Sequence, residues 1–322
     1  MSTPLCLQIG SLLPMIEDQL SDFFVVRKYT SDQDLPALLS EIGGQVEVIA
    51  TGGHAKVDET VFSHCQNLRI VANFGVGYDT VDAAKAAEHG IIVTNTPDVL
   101  TEEVADTTLA LLLMATRELG AAERYLRDGR WPKEGNYPLT PTTLRGRTVG
   151  ILGLGRIGQA VATRCEAFGL SVEYHTRNEK PGVPYTYHAT LMSLAASVDT
   201  LISVLPGGAA TAKLINAEVL EALGPNGVLV NIGRGTTVDE AALIEALKSG
   251  TIANAGLDVF ETEPCYPEEL VAIEKVALLP HVGSASVHTR DGMGQLVVDN
   301  LKAYLDRKPP LTPVVETPFS SW

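Results

Sequence analysis

The amino-acid sequence predicts an α/β protein with two doubly wound parallel-sheet domains. From Thr148 onward, short and almost continuously apolar runs alternate with helical patterns, as expected of parallel strands buried on both faces. A glycine-rich turn directly follows the first of these runs, and the first hundred residues repeat the alternation more weakly. Such alternation is typical of parallel sheets that carry helices on both faces.

The first part of the chain predicts five strands, at residues 5–9, 23–26, 46–50, 69–72 and 91–94. No GxGxxG pattern opens a helix between them. A long helix is predicted next, at residues 101–119, with Glu102, Glu103 and Asp106 in its first turns, where the helix dipole favours negative charge. Because its middle is apolar, we expect it to be mostly buried and to cross from one domain to the other.

The second part predicts further strands with helices between most of them, including helix 237–249. The last helix, residues 289–305, is expected to return and pack on the first domain, and the proline-rich tail, 308–313, to be extended. The predicted domains are therefore residues 1–99 plus 288–322 and residues 100–287, with a ligand cleft between them. The predicted strands are 148–152, 171–176, 200–205, 227–232, 252–259 and 276–279.

The turn after strand 148–152 contains Gly153, Gly155 and Gly158 in a GxGxxG pattern that leads into a helix. Gly153 allows the tight turn, Gly155 lets phosphates approach the backbone, and Gly158 lets the helix pack close to the strand. The helix N-terminus adds free N–H groups and a positive dipole end. This order favours a dinucleotide site over a merely structural turn. Because no such turn opens a helix in the first domain, that domain is expected to bind something other than a dinucleotide.

Composition excludes several other classes of function. The formal net charge of −15 over 322 residues argues against nucleic acid or an anionic membrane as partner, since both require a basic face. The cysteines Cys6, Cys65, Cys165 and Cys265 are far apart, which favours reduced thiols in the cytoplasm over a disulfide framework or a metal site. Residues 1–10 lack the basic segment of a signal peptide, and the longest apolar run is too short to span a bilayer.

Arg234, Glu263 and His281 lie at or just beyond predicted strand ends, which face the ligand crevice in open α/β sheets. Arginine binds a carboxylate or carbonyl oxygen with its planar fork, histidine is the usual proton donor near neutral pH, and a carboxylate can orient that histidine. Taken singly, each has an ordinary structural explanation, such as a surface ion pair or a loop residue. Together, downstream of a dinucleotide turn, they favour the reduction of a 2-keto acid.

Over nearly its whole length the chain resembles the D-isomer-specific 2-hydroxyacid dehydrogenase family. The resemblance lies in the glycine turn, in the segments around Arg234, Glu263 and His281, and in the upstream segment from Asn73 to Asp79. It implies a catalytic set of Arg234, Glu263 and His281, a flavodoxin-like substrate domain built from both chain ends, and a Rossmann cofactor domain. It also implies a homodimer joined through the cofactor domains.

The resemblance further implies the residues that surround the ligands. Gly75 and Gly77 allow the N–H groups of Val76 and Gly77 to point at one spot, which suits a carboxylate, although a tight turn after the strand is the alternative. The expected substrate contacts are Phe74, Gly75, Val76, Gly77, Arg234, His281 and Ser284. The expected cofactor contacts are Thr101, Gly153, Gly155, Arg156, Ile157, Gly158, Thr176, Arg177, Asn178, Leu205, Pro206, Thr211, Ile232, Asp258 and Gly283.

The end of the strand at 171–176 predicts a preference for NADPH, with NAD as a weaker alternative. NAD sites normally place an acidic residue at this strand end to bind the ribose hydroxyls. Matched to the family pattern, Thr176 holds that position, Arg177 follows, and the preceding acid, Glu173, lies inside the strand. An arginine can pair with a 2′-phosphate, which a carboxylate would repel.

The segments at 96–102 and 311–315 most resemble the NADPH-dependent glyoxylate/hydroxypyruvate reductase branch of the family, and this resemblance implies small 2-keto acids as substrates. The alternatives are other dehydrogenases of the same family, of the phosphoglycerate or 2-ketogluconate type, and a non-catalytic nucleotide-sensing scaffold. The complete Arg-Glu-His set argues against a scaffold. The sequence leaves open which 2-keto acid is preferred and whether Trp131 reaches the active site of a partner subunit.

Overall fold

The computed structural model describes residues 3–30 and 32–322. The chain divides into two compact units, one formed by the residues up to 100 together with 286–322, the other by 101–285. Each unit contains one parallel sheet flanked by helices, so the predicted fold class is confirmed.

The bounds of the elements among the described residues are as follows. The strands are β1 Leu5–Ile9, β2 Val25–Tyr29, β3 Val46–Gly52, β4 Ile70–Phe74, β5 Ile92–Thr94, β6 Thr148–Leu152, β7 Ser171–His175, β8 Thr186–His188, β9 Thr200–Ser203, β10 Val228–Asn231, β11 Asn254–Leu257 and β12 Ala277–Leu278. The α-helices are α1 Pro14–Phe23, α2 Leu35–Ile42, α3 Glu59–His64, α4 Ala83–Glu88, α5 Thr101–Arg117, α6 Leu119–Arg127, α7 Trp131–Glu134, α8 Arg156–Ala167, α9 Leu191–Ser197, α10 Ala217–Leu223, α11 Glu240–Ser249, α12 Glu268–Val271 and α13 Val287–Leu305. Two short 3-10 helices are Gly43–Gln45 and Gly235–Thr237.

The first unit is built on a five-stranded sheet with the order β2-β1-β3-β4-β5, in which every neighbouring pair is parallel. This is the flavodoxin-like order of a doubly wound sheet. Leu39 of α2 and Phe62 of α3 pack on one face, while Leu20 of α1 and Leu301 of α13 pack on the other. The predicted return of the last helix to the first unit is confirmed.

The second unit is built on a seven-stranded parallel sheet with the order β12-β11-β10-β9-β6-β7-β8. The chain first grows the sheet outward from β6 to β8, and then continues on the other side with β9. The switch between these directions lies at β6 and β9, where the loops that follow the strands diverge and leave room for a ligand. Leu194 of α9, Leu220 of α10 and Leu243 of α11 pack in the core on one face.

The prediction that helix 101–119 crosses between the domains was wrong. The helix α5 belongs wholly to the second unit, and it lies so close to β11 that a Cβ atom on Gly256 would sit 3.0 Å from the Leu111 carbonyl oxygen. Its acidic first turns pair with α8, since Arg164 binds Glu102 at 2.8 Å and Asp106 at 2.6 Å. It ends at Arg117, because Glu118 takes a left-handed φ of 51° before α6 begins.

Several predicted bounds also need correction. The strand predicted at 23–26 starts at Val25, because Ile16 and Leu20 extend the buried face of α1 through Phe23. Helix α11 starts at Glu240, where the Asp239 side chain accepts the Ala242 N–H, and α13 starts at Val287, where Ser286 caps the Thr289 N–H. Strand β8, on the edge of the second sheet, was missed because its three residues are polar or aromatic without an apolar run.

Five of the six strands predicted in the second unit are too long at their carboxyl ends; only the strand at 148–152 ends where predicted. Leu205, Ile232 and Asp258 lie beyond the ends of β9, β10 and β11, in the loops that follow them. Leu205 and Ile232 continue the apolar runs of their strands, and Asp258 stands between apolar residues, so all three look strand-like in the sequence. No helix in the described part of the chain is both long and apolar enough to cross a membrane.

Candidate active site

The glycine turn after β6 has the geometry that its sequence requires. Gly153 has a φ of 98°, in the left-handed region that favours glycine. A Cβ atom on Gly158 would lie 2.2 Å from the Gly153 carbonyl oxygen, so only glycine lets α8 start this close to the turn. A Cβ atom on Gly155, in contrast, would meet no protein atom within 4 Å. The turn therefore combines tight internal packing with an open backbone at the start of α8, which fits a pyrophosphate.

The loop after β7 carries the residues expected at the adenosine ribose. The Thr176 hydroxyl donates to the Asn178 carbonyl oxygen at 2.7 Å, and the Arg177 side chain is exposed. Glu173 is occupied by neighbouring elements, since it accepts hydrogen bonds from His188 of β8 at 2.6 Å and from Ser197 of α9 at 2.7 Å. The loop thus presents a hydroxyl and a guanidinium, while the strand carboxylate of Glu173 is engaged elsewhere, and this arrangement fits a phosphorylated ribose better than a free diol.

Arg234 lies in the turn between β10 and the 3-10 helix Gly235–Thr237, and its backbone is fixed by two buried polar side chains. Its carbonyl oxygen accepts hydrogen bonds from Asn231 Nδ2 at 2.9 Å and from the Thr237 hydroxyl at 2.7 Å. Its Nη1 donates to the Gly233 carbonyl oxygen at 3.0 Å. This support holds the half-buried guanidinium at the carboxyl end of a central strand.

The turn that carries Arg234 packs directly on the loop that follows β11. A Cβ atom on Gly235 would lie 1.8 Å from the carbonyl carbon of Phe260, so the two backbones are in direct contact. The Phe260 N–H in turn donates to Glu263 Oε1 at 2.8 Å. One chain of contacts therefore links the turn of Arg234 to the carboxylate of Glu263.

Glu263 and His281 form a short hydrogen bond in the candidate site. His281 Nδ1 lies 2.6 Å from Glu263 Oε2, and because a carboxylate only accepts, Nδ1 is the donor. The Glu263 side chain is 13% exposed and the His281 side chain 42% exposed. The carboxylate is thus nearly enclosed and the imidazole is open, with Nε2 remaining for a substrate.

Asp258 fixes the segment on which His281 lies. Its Oδ1 accepts the Val282 N–H at 2.7 Å and its Oδ2 accepts the Gly283 N–H at 2.8 Å, while its carbonyl oxygen accepts the His281 N–H. Burial raises the pKa of Asp258 above its ordinary value, and the two N–H groups oppose this by favouring the carboxylate. The structure gives Asp258 a supporting role; its expected contact with the cofactor stays a prediction.

The loop of Gly75, Val76 and Gly77 follows β4 in the first unit. Asn73 Nδ2 donates to the carbonyl oxygens of Gly75 and Gly77, and Asn95 Nδ2 donates to that of Val76 at 2.8 Å. With its carbonyl oxygens bound in this way, the loop leaves the N–H groups of Val76 and Gly77 with no acceptor among the described residues. Such a pair of N–H groups suits a carboxylate. Next to it, the guanidinium carbon of Arg290 lies 5.7 Å from the centre of the Phe74 ring.

The other expected cofactor contacts lie at the carboxyl ends of neighbouring strands of the second sheet. Leu205 and Pro206 follow β9, Ile232 follows β10 and Gly283 follows β12, while Thr101 is the first residue of α5. The Thr211 hydroxyl donates to the Pro206 carbonyl oxygen at 2.8 Å, which ties these two residues together. Ser284 is buried directly after Gly283. The second unit therefore holds Arg234, Glu263, His281 and all of the expected cofactor contacts, and the first unit holds Phe74 to Gly77.

The sequence reasoning missed the polar residues that support the site. Asn73 and Asn231 stand inside the segments that pointed to the site, and their position directly before glycine turns was the available signal. Tyr174 and Tyr187, whose hydroxyl groups bind the loop after β7, carried no such signal.

Residues 109–283 match the model of a protein family, described as D-isomer specific 2-hydroxyacid dehydrogenase, NAD binding domain. The chain is 45% identical over 300 residues to a glyoxylate/hydroxypyruvate reductase of Arabidopsis thaliana, covering 93% of this chain and 95% of the relative. It is 42% identical over 294 residues to a glyoxylate reductase of Pyrococcus horikoshii, covering 88% of each.

Among solved structures, the chain is similar to an NADPH-dependent glyoxylate/hydroxypyruvate reductase of Sinorhizobium meliloti in complex with NADP and malonate. The identity is 54% and the TM-score 0.95, over 100% of this chain and 99% of the other. A 2-hydroxyacid dehydrogenase of Ketogulonicigenium vulgare is 41% identical with a TM-score of 0.88, over 98% and 99% of the two chains.

Proposed function

Because the chain belongs to the D-isomer specific 2-hydroxyacid dehydrogenase family, we propose that it reduces small 2-keto acids, such as glyoxylate and hydroxypyruvate, to D-2-hydroxy acids with NADPH as reductant. The observation that carries this proposal is the 2.6 Å contact between His281 Nδ1 and Glu263, which leaves Nε2 of an accessible imidazole as a proton donor. The similar proteins are glyoxylate or glyoxylate/hydroxypyruvate reductases, which supports the choice of substrate.

The chain's own residues divide the chemistry among them. The substrate carboxylate binds the N–H groups of Val76 and Gly77, and Arg234 binds and polarises the substrate with its planar fork. His281 donates the proton from Nε2 to the carbonyl oxygen, while Glu263 holds the ring by accepting from Nδ1. Bound NADPH supplies the hydride that the C2 carbonyl carbon receives. The positive charge of Arg234 stabilises the negative charge that develops on the carbonyl oxygen.

The proposed cofactor site has two parts. The pyrophosphate binds at Gly153, Gly155 and the N–H groups at the start of α8, where the Gly155 backbone is open. The 2′-phosphate of NADPH binds at Thr176 and the exposed Arg177, supported by the engagement of Glu173 with His188 and Ser197. In this proposal the second unit is the cofactor domain and the first is the substrate domain.

The test is a steady-state assay of the purified chain on glyoxylate, hydroxypyruvate, phenylpyruvate and 2-ketogluconate, each with NADPH and with NADH. We expect the highest kcat/KM with glyoxylate or hydroxypyruvate and NADPH. Arg177→Gln should lower kcat/KM for NADPH with little change for NADH, since it removes only the partner of the 2′-phosphate. Higher efficiency with NADH in the unmodified chain would overturn the choice of cofactor, and cofactor binding without turnover of any keto acid would favour a scaffold.

We further propose that the protein is a cytoplasmic homodimer joined through its second units. Leu126 of α6 and Trp131 of α7 are exposed large apolar side chains that line one groove with Tyr125 and Tyr137, and an apolar surface of this kind is typical of an interface. All four cysteines are free, which fits a reducing compartment. Light scattering of the purified protein should give twice the chain mass of 34.3 kDa, and Leu126→Asp should shift it toward the monomer.

A further inference from the structure

The loop that follows β7, residues 176–180, is held at both ends by the hydroxyl groups of two tyrosines. We propose that Tyr174 and Tyr187 are positioning residues that hold this loop in the shape that selects NADPH over NADH. The inference rests on the proposed function, since it requires the 2′-phosphate to bind at Thr176 and Arg177.

The two tyrosines lie side by side on neighbouring strands. Tyr174 of β7 and Tyr187 of β8 are partners in the parallel register, and their ring centres are 5.4 Å apart. Tyr174 is 1% exposed, so its ring is fixed by the packing around it. The pair therefore forms one rigid surface below the loop.

Each hydroxyl binds the backbone at one end of the loop. The Tyr187 hydroxyl donates to the Thr176 carbonyl oxygen at 3.2 Å, and the Tyr174 hydroxyl accepts the Lys180 N–H at 3.0 Å. Within the loop, the Thr176 hydroxyl donates to the Asn178 carbonyl oxygen at 2.7 Å. The backbone on both sides of Arg177 is thus held, although the arginine itself is exposed.

The strand pair under the loop is also held in place by hydrogen bonds outside the ladder. His175 Nδ1 bonds the His188 carbonyl oxygen at 2.8 Å, and the Glu173 carboxylate binds both His188 and Ser197. Because β8 is an edge strand of only three residues, these contacts fix the position of Tyr187 relative to β7. Tyr187 therefore acts on the loop from a fixed strand.

The consequence for selectivity is entropic. A free loop must be ordered when a phosphate binds, and that cost reduces affinity, whereas a loop that is already held loses less. The cost falls chiefly on the ligand whose 2′-phosphate binds the loop at Thr176 and Arg177. Loss of a tyrosine hydroxyl should therefore weaken NADPH and leave NADH nearly unchanged.

The experiment compares Tyr187→Phe and Tyr174→Phe with the unmodified chain and with Tyr185→Phe as the matched control. The control removes a hydroxyl two residues from Tyr187 that donates to Glu166 at 2.9 Å instead of to the loop. Calorimetry gives the Kd of 2′,5′-ADP and of 5′-ADP, kinetics give KM and kcat with each cofactor, and a thermal melt shows that each variant is folded.

We expect Tyr187→Phe to raise the Kd of 2′,5′-ADP and the KM for NADPH about 5-fold, the effect of one lost hydrogen bond, with kcat and the Kd of 5′-ADP unchanged. Tyr174→Phe should act in the same direction, and Tyr185→Phe should change neither ligand. Equal weakening of both ligands, or no weakening, would refute the role of the tyrosines. If the unmodified chain binds 5′-ADP as well as 2′,5′-ADP, the NADPH proposal itself fails, which is a separate result.

Discussion

His281 is constrained in three ways, two at its backbone and one at its imidazole ring. Its N–H donates to the Asp258 carbonyl oxygen, its Nδ1 binds Glu263, and its φ of 53° is a left-handed value that histidine adopts more often than most residues. All three constraints direct the ring without using Nε2. This is the arrangement expected of a general acid whose position is set before the substrate binds.

Replacement of this residue gives the sharpest prediction at the residue scale. His281→Ala should lower kcat for keto-acid reduction about 10²–10⁴-fold, because the proton donor is lost while the cofactor loops are untouched. Stopped-flow or steady-state turnover measures the change. His89→Ala is the control, since His89 pairs with Glu59 on the surface of the first unit. Turnover within a few-fold of the unmodified chain would remove His281 from the proposed mechanism.

The sequence alone predicted Arg234, Glu263 and His281 as the catalytic set because each stands in a short segment next to a strand end, where parallel sheets gather their functional residues. It could not identify how they are held. The bonds from Asn231 and Thr237 to the Arg234 carbonyl oxygen, and the place of Asp258 beneath His281, depend on the path of the loops after the strands. That path follows from backbone contacts between segments distant in sequence, which no local pattern encodes.

At the scale of elements, the turn after β10 and the loop after β11 behave as one piece, because Gly235 lies against the Phe260 backbone. In Gly235→Ala the added Cβ atom overlaps the Phe260 backbone and should force the two loops apart. We expect this overpacking to lower the free energy of unfolding by about 1–3 kcal/mol. Since Phe260 also donates to Glu263, kcat should fall as well. Urea unfolding and turnover measure the two effects.

Gly44→Ala is the matched control for that experiment, because a Cβ atom there would meet nothing within 4 Å. If Gly235→Ala is as stable and as active as Gly44→Ala, the two loops are not coupled.

The strands and helices themselves were predictable where burial is continuous along the chain. The bounds of β6 and the centres of β9, β10 and β11 follow directly from their apolar runs, whereas the carboxyl ends of β9, β10 and β11 were placed too late because apolar residues continue into the loops. The edge strand β8 gave no apolar run and was missed. Helix α5 ends where Glu118 takes a left-handed conformation, and glutamate is not a residue type that predicts such a conformation from sequence. Periodicity thus located the elements, and tertiary contacts decided where they end.

At the scale of the whole molecule, tyrosine–carboxylate pairs are spread over both units. Burial, together with a hydrogen bond to a carboxylate, raises the pKa of Tyr78, Tyr137, Tyr185 and Tyr304 to about 12 from the ordinary value of 10.0. The partners are Glu316, Glu118, Glu166 and Glu47 respectively. The folded chain therefore keeps these protons over a range of pH in which the unfolded chain has released them.

This difference predicts how stability depends on alkaline pH. The contribution of the four tyrosine–carboxylate pairs to the free energy of unfolding is complete below pH 10, where the tyrosines are protonated in both states. It is lost progressively as the pH rises from 10 toward about 12, because the unfolded state then binds fewer protons than the folded state. Tyr304→Phe removes the most buried of the four groups, so its free energy of unfolding should fall less steeply with pH than that of the unmodified chain. Urea unfolding at several pH values between about 9 and about 11 gives the two slopes. Tyr266→Phe, at a side chain that is 71% exposed, should keep the original slope, and an equally steep slope for Tyr304→Phe would show that the Tyr304–Glu47 pair does not contribute.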